Sequence, residues 1–392
     1  MPRAKTLVVI LAGGAGGRLE LLTQERAKPA VSFAGTHRLI DFPLSNCANS
    51  GLSDVWVAQA FNPISLSDHL ANGRPWDLDR TMGGLLILQP RLGHDDRGGF
   101  PSGTADVLWR NAPMIREFEP EALVVLSADA VYSLDYGALV DEHMATDAVV
   151  TMVTTEVDPE DASRYGVVHV DGERITEYVY KPDEPATNVI SNEVFVFRPT
   201  PMLDALEAIV GEQGEGELAD VGNDLLPRLV DAGDARAHPF DGFWRDVGTV
   251  DAFHECHMEL LEEPPPIDLD DPRWPILTQA SARRASSQIL EGAALDRVQV
   301  APAARIAGDV ARSVVGRGAL VEAGAVVRDA VLLPGAVVRK GAKVERAIVD
   351  DGVEICAGVS VGEHDGEIAL VGLGAKVERD VPAGGRFPEV ED

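Results

Sequence analysis

Aliphatic residues recur at intervals of six along the last third of the chain, and glycines follow the same interval. An α-helix would need a period near 3.6 residues, and a stack of hairpins would need a period of two. A period of six, with one inward aliphatic residue and one turn residue per step, predicts a left-handed parallel β-helix of hexapeptide repeats. The aliphatic members are Val314, Leu320, Val326, Leu332, Val338 and Val344, and the paired glycines are Gly318 and Gly324, Gly335 and Gly341, and Gly352 and Gly358.

A different pattern covers the first two thirds, where apolar runs of strand length alternate with amphipathic stretches of helical length. This alternation predicts a Rossmann-like α/β domain with a mainly parallel sheet and flanking helices. The predicted strands cover residues 6–12, 55–58, 123–127, 148–154 and 194–197, and the predicted helices cover residues 105–118, 201–210 and 250–261.

A proline-rich break marks the boundary between the two regions. The prolines at 264–266 end the last predicted helix and begin a mostly polar stretch. We therefore predict a first domain over residues 1–262, a linker over 263–288, and the β-helix with an acidic tail over 289–392. The regular repeat is expected to end near residue 362, and the apolar residues 369–374 are able to add one more coil.

The charge balance narrows the range of partners. The chain has 64 Asp and Glu residues against 34 Lys and Arg, a formal net charge of −30. Such a field repels phosphate backbones and anionic lipids, so neither nucleic acid nor a membrane is an expected partner. The three cysteines, Cys47, Cys256 and Cys356, fit neither a zinc site nor a disulfide framework. We therefore expect a cytoplasmic protein with no secretion signal and no membrane-spanning run.

A glycine-rich loop directly follows the first predicted strand. Four of the five residues 13–17 are glycine, so backbone N–H groups can approach a triphosphate without obstruction by Cβ atoms. Arg18 and Lys28 supply positive charge nearby. The spacing matches neither the Walker loop nor the dinucleotide fingerprint. On the residues alone, a phosphate cradle and a plain strand-to-helix turn both remain open.

Two aspartates stand where an open parallel sheet places its ligands, at the carboxyl ends of strands. Asp129 follows the strand predicted over 123–127, and Asp246 precedes the helix predicted from 250. If folding brought them together, their carboxylates would suit Mg²⁺, which prefers oxygen ligands and phosphates. The alternative is that each is a solvated cap of its own element.

These segments, with others, resemble the bacterial glucose-1-phosphate adenylyltransferase family, also called ADP-glucose pyrophosphorylases, over nearly the whole chain. The order and spacing of the segments agree with that family, as does the appended β-helix. The matching segments cover residues 11–19, 26–31, 38–47, 73–79, 103–106, 164–168, 181–182, 244–249 and 271–276.

The resemblance implies transfer of the adenylyl group of ATP to glucose 1-phosphate, giving ADP-glucose and pyrophosphate for glycogen or another α-glucan. It assigns Asp129 and Asp246 to Mg²⁺, Arg18 and Lys28 to the triphosphate, and Lys181 to the sugar phosphate. The further substrate-binding residues that it implies are Gly13, Gly14 and Gly16 in the phosphate loop, Ser191, Asp220 and Trp244 at the sugar, and Gly103, Asp106 and Gly166 in other matching segments.

Several positions depart from the family pattern. Ala15 and Ser102 replace arginines, Tyr180 replaces a glutamate, and Glu193 brings an extra carboxylate near the sugar hydroxyls. Each lost phosphate-facing cation removes roughly 1.5–3 kcal/mol of charge-assisted bonding. Two alternatives therefore stay open. One is a weakly active or inactive regulatory subunit that pairs with a catalytic homologue, and the other is a related enzyme for another nucleotide or sugar.

The resemblance also bears on assembly and regulation. β-helices of this kind pack subunits together, so a homo-oligomer is expected, a tetramer by family likeness. An acyltransferase role for the β-helix would need a histidine between coils, and residues 289–362 contain none. Glu25 replaces a lysine that binds effectors in some members, so we expect weak or no activation by fructose 1,6-bisphosphate.

Overall fold

Two regions of different architecture pack against each other in this protein. The computed structural model describes residues 3–14, 16–89, 101–214, 217–279 and 285–389. The N-terminal region is a layered α/β structure, and the C-terminal region is a coil of short parallel strands.

Strands and helices alternate along much of the N-terminal region. Its strands are β1 (Thr6–Ala12), β2 (Ser32–Phe33), β3 (His37–Arg38), β4 (Asp54–Gln59), β5 (Gly84–Leu88), β6 (Ala122–Ser127), β7 (Ala130–Tyr132), β8 (Val150–Glu156), β9 (Gly166–Asp171), β10 (Arg174–Tyr180), β11 (Val189–Phe197), β12 (Ala235–Pro239) and β13 (Trp244–Asp246). Its α-helices are α1 (Asp41–Asn49), α2 (Pro63–Leu70), α3 (Thr104–Phe118), α4 (Tyr136–Met144), α5 (Pro199–Gln213), α6 (Leu226–Asp231) and α7 (Val250–Glu259). Short 3₁₀ helices cover Gly17–Thr23, Lys28–Ala30, Arg74–Trp76 and Ala162–Arg164, and Val221–Leu225 is a π-helical turn.

The main sheet is parallel in one half and mixed in the other. Its strand order among the described residues is β5-β4-β1-β6-β11-β8-β12-β10-β9. The strands from β5 to β6 are parallel, as predicted, whereas β11 pairs antiparallel with both β6 and β8. The difference arises because the β9–β10 hairpin, rather than a helix, connects β8 to β11. Two parallel strands need a long crossover connection between them, whereas antiparallel strands do not.

Helices cover both faces of this sheet, because alternate residues of a strand point to opposite sides. Leu7 and Val9 of β1 pack in one core with residues of α3, α5 and α6. Val8 and Ile10 pack in a second core with residues of α1, α2 and α4. The central strands are therefore apolar on both faces, which explains why β1 is a continuous apolar run.

The C-terminal region is built from short strands that pair in parallel with the next coil. They form a six-stranded and a seven-stranded sheet among the described residues, which is consistent with a left-handed parallel β-helix. The strands are β14 (Gln288–Ile289), β15 (Ala294–Val300), β16 (Arg305–Ile306), β17 (Asp309–Val315), β18 (Leu320–Val321), β19 (Val326–Leu332), β20 (Val337–Val338), β21 (Lys343–Val349), β22 (Glu354–Ile355), β23 (Ser360–Val361), β24 (Ala369–Val371), β25 (Lys376–Val377) and β26 (Arg386–Phe387).

The central coils contain 17 residues, not the 18 of a strict hexapeptide repeat. Val310 pairs with Val327, and Val327 pairs with Val344. Gly318, Gly335 and Gly352 keep the same 17-residue spacing, and all three have a φ near +70°. That backbone conformation is open to glycine without a Cβ clash, so these positions turn each coil.

The shorter coil corrects the predicted aliphatic column. Leu332, Val338 and Val344 are buried in the β-helix core, as predicted. Val314, Leu320 and Val326 are not part of that core, because a five-residue step between Val327 and Leu332 shifts the inward phase by one residue. The inward positions of that coil are Val315, Val321 and Val327.

Val314 instead points outward, onto the N-terminal region. Together with Val331 and Ile348, one and two coils further, it packs in a core with Phe253 and Met258 of α7. The strands β17 and β19 contact α7 directly. One outer face of the β-helix is therefore buried against the α/β region.

The predicted elements are confirmed with shifts of a few residues at their ends. The strand predicted over 148–154 covers Val150–Glu156, and the helix predicted over 201–210 covers Pro199–Gln213. The apolar stretch at 369–374 contributes β24, as expected, but strands continue to Phe387, well past residue 362. The domain boundaries stay a prediction; the nearest elements are α7, which ends at Glu259, and β14, which begins at Gln288.

No α-helix in the described part of the chain combines the length and apolar character needed to cross a membrane.

Candidate active site

A cavity of about 420 Å³ opens at the carboxyl ends of β1 and β6. This is the edge at which an open α/β sheet binds its ligands. The cavity is lined on one side by the glycine-rich loop and on the other by β10, β11 and the N-terminus of α3.

The glycine-rich loop forms one wall of the cavity. Gly13 and Gly14 follow β1 directly and line the cavity. Gly16 has a φ of +65°, and a Cβ added there would lie 3.0 Å from the side chains of Thr23 and Lys28. Only glycine meets both demands without strain. The loop therefore packs closely against the Lys28 side chain at Gly16. Ala15 lies outside the described residues.

Asp129 and Asp246 come together through a small antiparallel sheet. β7 and β13 pair so that Asp246 lies opposite Ala130, the residue that follows Asp129. Lys28 lies between the two carboxylates: its Nζ donates to Asp129 Oδ2 at 2.7 Å and lies 3.6 Å from Asp246 Oδ1. Three residues that are far apart in sequence thus share one corner of the site.

These charges alter one another's protonation. Removal from water by itself raises the pKa of Asp129, but Lys28, the Ser127 hydroxyl and Arg18 outweigh it and lower the pKa below its ordinary value. Burial lowers the pKa of the Lys28 ammonium, but Asp129 and Asp246 more than reverse this and raise it. Both groups are therefore charged near neutral pH, so the Asp129 carboxylate is able to bind a cation.

The two aspartates fit a hard divalent cation. Asp246 Oδ1 is buried and accepts no hydrogen bond from the described residues, while the Asp129 side chain is 32% exposed. Mg²⁺ is commonly held by one or two carboxylates and completes its shell with water and substrate phosphates. A pair of oxygen donors beside the glycine-rich loop is suited to that pattern. No cluster of three or more acidic, His or Cys side chains suited to a metal occurs in the described ranges.

The opposite wall holds several of the predicted substrate-binding residues. Lys181, Ser191, Asp220, Gly103 and Gly166 all line the cavity. The Lys181 ammonium lies 4.7 Å from the centre of the Tyr180 ring. Burial lowers the pKa of Lys181, but the contact with Tyr180 and the Glu193 carboxylate outweigh this and raise it. Lys181 therefore stays cationic, as its predicted role at the sugar phosphate requires.

Close packing leaves no room for a side chain at Gly103 and Gly166 on this wall. A Cβ on Gly166 would lie 2.3 Å from the Tyr178 hydroxyl, and a Cβ on Gly103 would lie 2.4 Å from the Ala219 carbonyl. Asp220 accepts hydrogen bonds from the Thr104 amide and hydroxyl, both at 3.2 Å. Asp220 therefore positions the start of α3 as well as facing the cavity.

Five predicted site residues do not line this cavity: Gly16, Arg18, Asp106, Trp244 and Asp246. Asp246 lines a second, polar cavity next to it, together with Trp244. Asp106 is buried and accepts hydrogen bonds from the Ser102 amide and Arg110 Nε, both at 2.9 Å. Its carboxylate is therefore directed to the N-terminus of α3 rather than to a substrate.

Trp244 and Arg18 lie at the edges of the site. Trp244 faces Tyr165 at a ring distance of 5.5 Å, beside the second cavity. Arg18 is exposed, yet its charge acts on Asp129. Arg18 therefore acts electrostatically on the Asp129 carboxylate, although its side chain does not line the cavity.

Two supporting residues were missed from the sequence. The Ser127 hydroxyl donates to Asp129 Oδ1 at 2.6 Å, and Arg164 Nη2 lies 3.3 Å from Asp246 Oδ2. Each therefore holds one aspartate in place. Arg164 begins one of the segments that carry the family resemblance, which is the signal that could have identified it.

The chain matches two families over complementary ranges. Residues 7–263 match the nucleotidyl transferase family, and residues 280–368 match the GlmU-like C-terminal hexapeptide family. The first match covers nearly the whole main sheet and the cavity, and the second covers most of the β-helix.

Curated relatives share the same description. The glucose-1-phosphate adenylyltransferase of Bacillus licheniformis is 38% identical over 371 residues, 94% of this chain and 97% of that protein. The one of Thermosipho africanus is 38% identical over 323 residues, 82% of this chain and 77% of the relative. The one of Thermomicrobium roseum is 43% identical over 293 residues, 74% of this chain and 67% of the relative. The chain therefore belongs to the nucleotidyl transferase family, and within it to the glucose-1-phosphate adenylyltransferases.

Proposed function

We propose that this protein transfers the adenylyl group of ATP to glucose 1-phosphate, releasing pyrophosphate and forming ADP-glucose. The observation that carries the proposal is the corner formed by Lys28, Asp129 and Asp246 between the glycine-rich loop and Lys181. In this proposal one wall would hold the triphosphate and the other the sugar phosphate. The ADP-glucose would serve glycogen or another α-glucan.

The chemistry asks the protein for positioning and charge neutralisation. A phosphate oxygen of glucose 1-phosphate attacks the α-phosphorus of ATP, the bond to the bridging oxygen breaks, and pyrophosphate leaves with that electron pair. The backbone of Gly13 and Gly14 would cradle the triphosphate, and Arg18 and Lys28 would neutralise it and the leaving pyrophosphate. Lys181 would hold the attacking phosphate, and Ser191, Asp220 and Trp244 would bound the sugar.

Nucleotidyl transferases generally use divalent metal ions. For this chain we propose Mg²⁺, held by Asp129 and Asp246, where it would neutralise charge on the phosphates of ATP. Lys28, whose ammonium lies between the two carboxylates, would neutralise the same phosphates. Ser127 and Arg164 would orient the two aspartates.

The cytoplasmic location and the homotetramer inferred from the sequence are likewise proposals. A left-handed β-helix offers flat outer faces, and one of them is already used against α7. The other faces are the candidate surfaces for further copies or for a catalytic homologue.

The direct test is pyrophosphate release from the purified full-length protein. We expect release with ATP, glucose 1-phosphate and Mg²⁺ together, and none when the sugar phosphate or Mg²⁺ is omitted. Each of the other nucleoside triphosphates is tested in the same way, which separates the adenylyl transfer from a related activity. No release with any nucleotide would refute the proposal.

The regulatory-subunit alternative is favoured by the departures from the family pattern, of which Ser102, Tyr180 and Glu193 line the cavity. It predicts no turnover by the protein alone, together with altered kinetics of a catalytic homologue upon mixing. Turnover by the protein alone, without the homologue, would exclude an inactive subunit.

A further inference from the structure

One carboxylate in the cavity has no role in the transfer chemistry. Glu193 lies on β11, where the pairing with β8 is interrupted between Ser191 and Phe195. Within this bulge Glu193 has a φ of +61°. Ser191, Asn192 and Val194 are buried around it, whereas Glu193 is exposed and lines the cavity. The bulge thus directs a charged side chain into the site.

The backbone conformation at Glu193 favours glycine, so a glutamate there is held at a conformational cost. Such a residue, kept in a ligand cavity, points to a function for its side chain. It lies in a segment whose neighbours in sequence are all packed, so folding alone supplies no reason for a carboxylate at this position.

Glu193 also forms no direct ion pair with a described residue. Among the described residues, no Lys, Arg or His nitrogen lies within 4 Å of its carboxylate. Lys28 is held by Asp129 and Asp246 instead, and the Lys181 ammonium lies over the Tyr180 ring. Partial removal from bulk water by the cavity walls and the charges of Asp129 and Asp246 raise the pKa of Glu193 to about 7, while the charges of Lys181 and Lys28, beyond 4 Å, act in the opposite direction. A bound cation would relieve this unfavourable charge.

The chemistry of the cavity narrows the group that could face Glu193. The phosphate of a substrate is excluded, because the carboxylate would repel it. The Mg²⁺ proposed above is assigned to Asp129 and Asp246, and the described residues contain no group of three acidic, His or Cys side chains that would add Glu193 to such a site. The remaining part of a sugar phosphate in this cavity is the sugar ring itself, which carries hydroxyl groups or, in amino sugars, a protonated amine.

We propose that Glu193 selects a hexose 1-phosphate that carries a protonated amino group over the corresponding neutral hexose 1-phosphate. This specificity rests on the proposed function, since it concerns the sugar end of the same site. An ammonium would form a charge-assisted hydrogen bond with the carboxylate, whereas a hydroxyl would leave the negative charge uncompensated. The Lys181 ammonium remains available for the phosphate of either sugar.

The experiment compares two probe sugars, glucosamine 1-phosphate and glucose 1-phosphate, with ATP and Mg²⁺ and the full-length protein. The measured quantity is the ratio of their kcat/KM values for pyrophosphate release. We expect the ratio to favour the amino sugar by about tenfold, as a charged partner strengthens a hydrogen bond by roughly that factor in binding. Calorimetric binding of each sugar phosphate to the same protein gives a second, turnover-independent ratio.

Three variants show whether Glu193 causes the preference. Glu193→Gln removes the charge and is expected to bring both ratios close to one. Glu193→Gly removes the carboxylate but suits the φ of +61°, so it separates the loss of charge from a distorted bulge. Glu184→Gln, an exposed acid on the loop after Lys181 that does not line the cavity, is the matched control and is expected to keep the ratio of the natural protein.

The outcomes separate this proposal from the activity itself. If neither sugar releases pyrophosphate, the proposed function fails, and the binding ratios alone decide the role of Glu193. If the natural protein binds or uses glucose 1-phosphate as well as glucosamine 1-phosphate, or if Glu193→Gln leaves the ratios unchanged, the specificity proposal is overturned.

Discussion

At the scale of single residues, the site depends on one lysine held between two aspartates. Lys28 Nζ lies 2.7 Å from Asp129 and 3.6 Å from Asp246. Lys28 lowers the pKa of Asp129, and Asp129 and Asp246 raise the pKa of Lys28. Substitutions here should therefore change chemistry before they change stability.

We predict that Asp129→Asn abolishes adenylyl transfer while the protein stays folded. The amide keeps the shape of the side chain but removes the charge that would face a metal ion and Lys28. The loss in kcat should be about 100-fold or more, which corresponds to roughly 2.7 kcal/mol of transition-state stabilisation. Steady-state pyrophosphate release measures it, and Asp171→Asn, at an exposed strand end, is the control. More than a tenth of the natural turnover in Asp129→Asn would contradict the assignment.

A second residue-scale prediction concerns the opposite wall of the cavity. Lys181→Ala should raise the KM for the sugar phosphate far more than the KM for ATP, because an ammonium there would meet a doubly charged phosphate. Initial rates with each substrate varied in turn provide the comparison. Lys340→Ala, an exposed lysine on the β-helix, should leave both constants unchanged. Equal effects of Lys181→Ala on the two substrates would place Lys181 elsewhere in the reaction.

At the scale of elements, the packing of the β-helix decides which residues of the repeat lie in its interior. Leu332 and Leu320 both belong to the six-residue pattern of the sequence. Leu332 is fully buried inside the coil, whereas Leu320 is only half-buried and lies outside that core. The five-residue step before Leu332 accounts for this difference between two chemically identical residues.

The stability of variants at these two positions should differ accordingly. Leu332→Ala leaves a cavity in a core that cannot readily collapse, so it should cost about 2–5 kcal/mol. Leu320→Ala should cost about 1 kcal/mol or less, as for most substitutions at partly exposed positions. Thermal unfolding followed by circular dichroism compares the two midpoints. Equal shifts would mean that the strict six-residue column, rather than the 17-residue coil, describes the interior.

At the scale of the whole molecule, the β-helix is tied to the segment that carries Lys28. Arg26, two residues before Lys28, is buried and pairs with Asp350 and, at 3.0 Å, with Asp351. Ser32 donates to the same Asp351 at 2.9 Å. The two regions are thus joined by a buried ionic contact whose cation is already neutralised.

This contact bears on the expected regulation. An anionic effector at the junction would have to compete with Asp350 and Asp351 for Arg26, and the exposed Glu25 beside it is acidic. We predict that fructose 1,6-bisphosphate activates less than about fivefold, at or below the low end of ordinary allosteric coupling. Initial rates at subsaturating ATP with increasing bisphosphate measure the effect, and inorganic phosphate at equal ionic strength is the control. Strong activation would show that other arginines bind the effector.

Much of the fold follows from the sequence because its signals are local. The apolar run of β1, the glycines after it and the six-residue repeat each depend on neighbours a few residues away. The positions of β6, α3 and α7 were therefore predictable to within a few residues. The residues of the site were identified by their resemblance to a family, rather than by their spacing.

The tertiary structure alone decided the pairings between residues that are far apart in the sequence. Asp129 and Asp246 meet because β7 and β13 pair in one register, and no local pattern specifies that register. The five-residue step that turns Leu320 outward depends on how successive coils stack. The bulge that directs Glu193 into the cavity depends on the packing of β11 between β6 and β8. Each is a choice among registers of similar local energy, and only the packing of the whole molecule selects one.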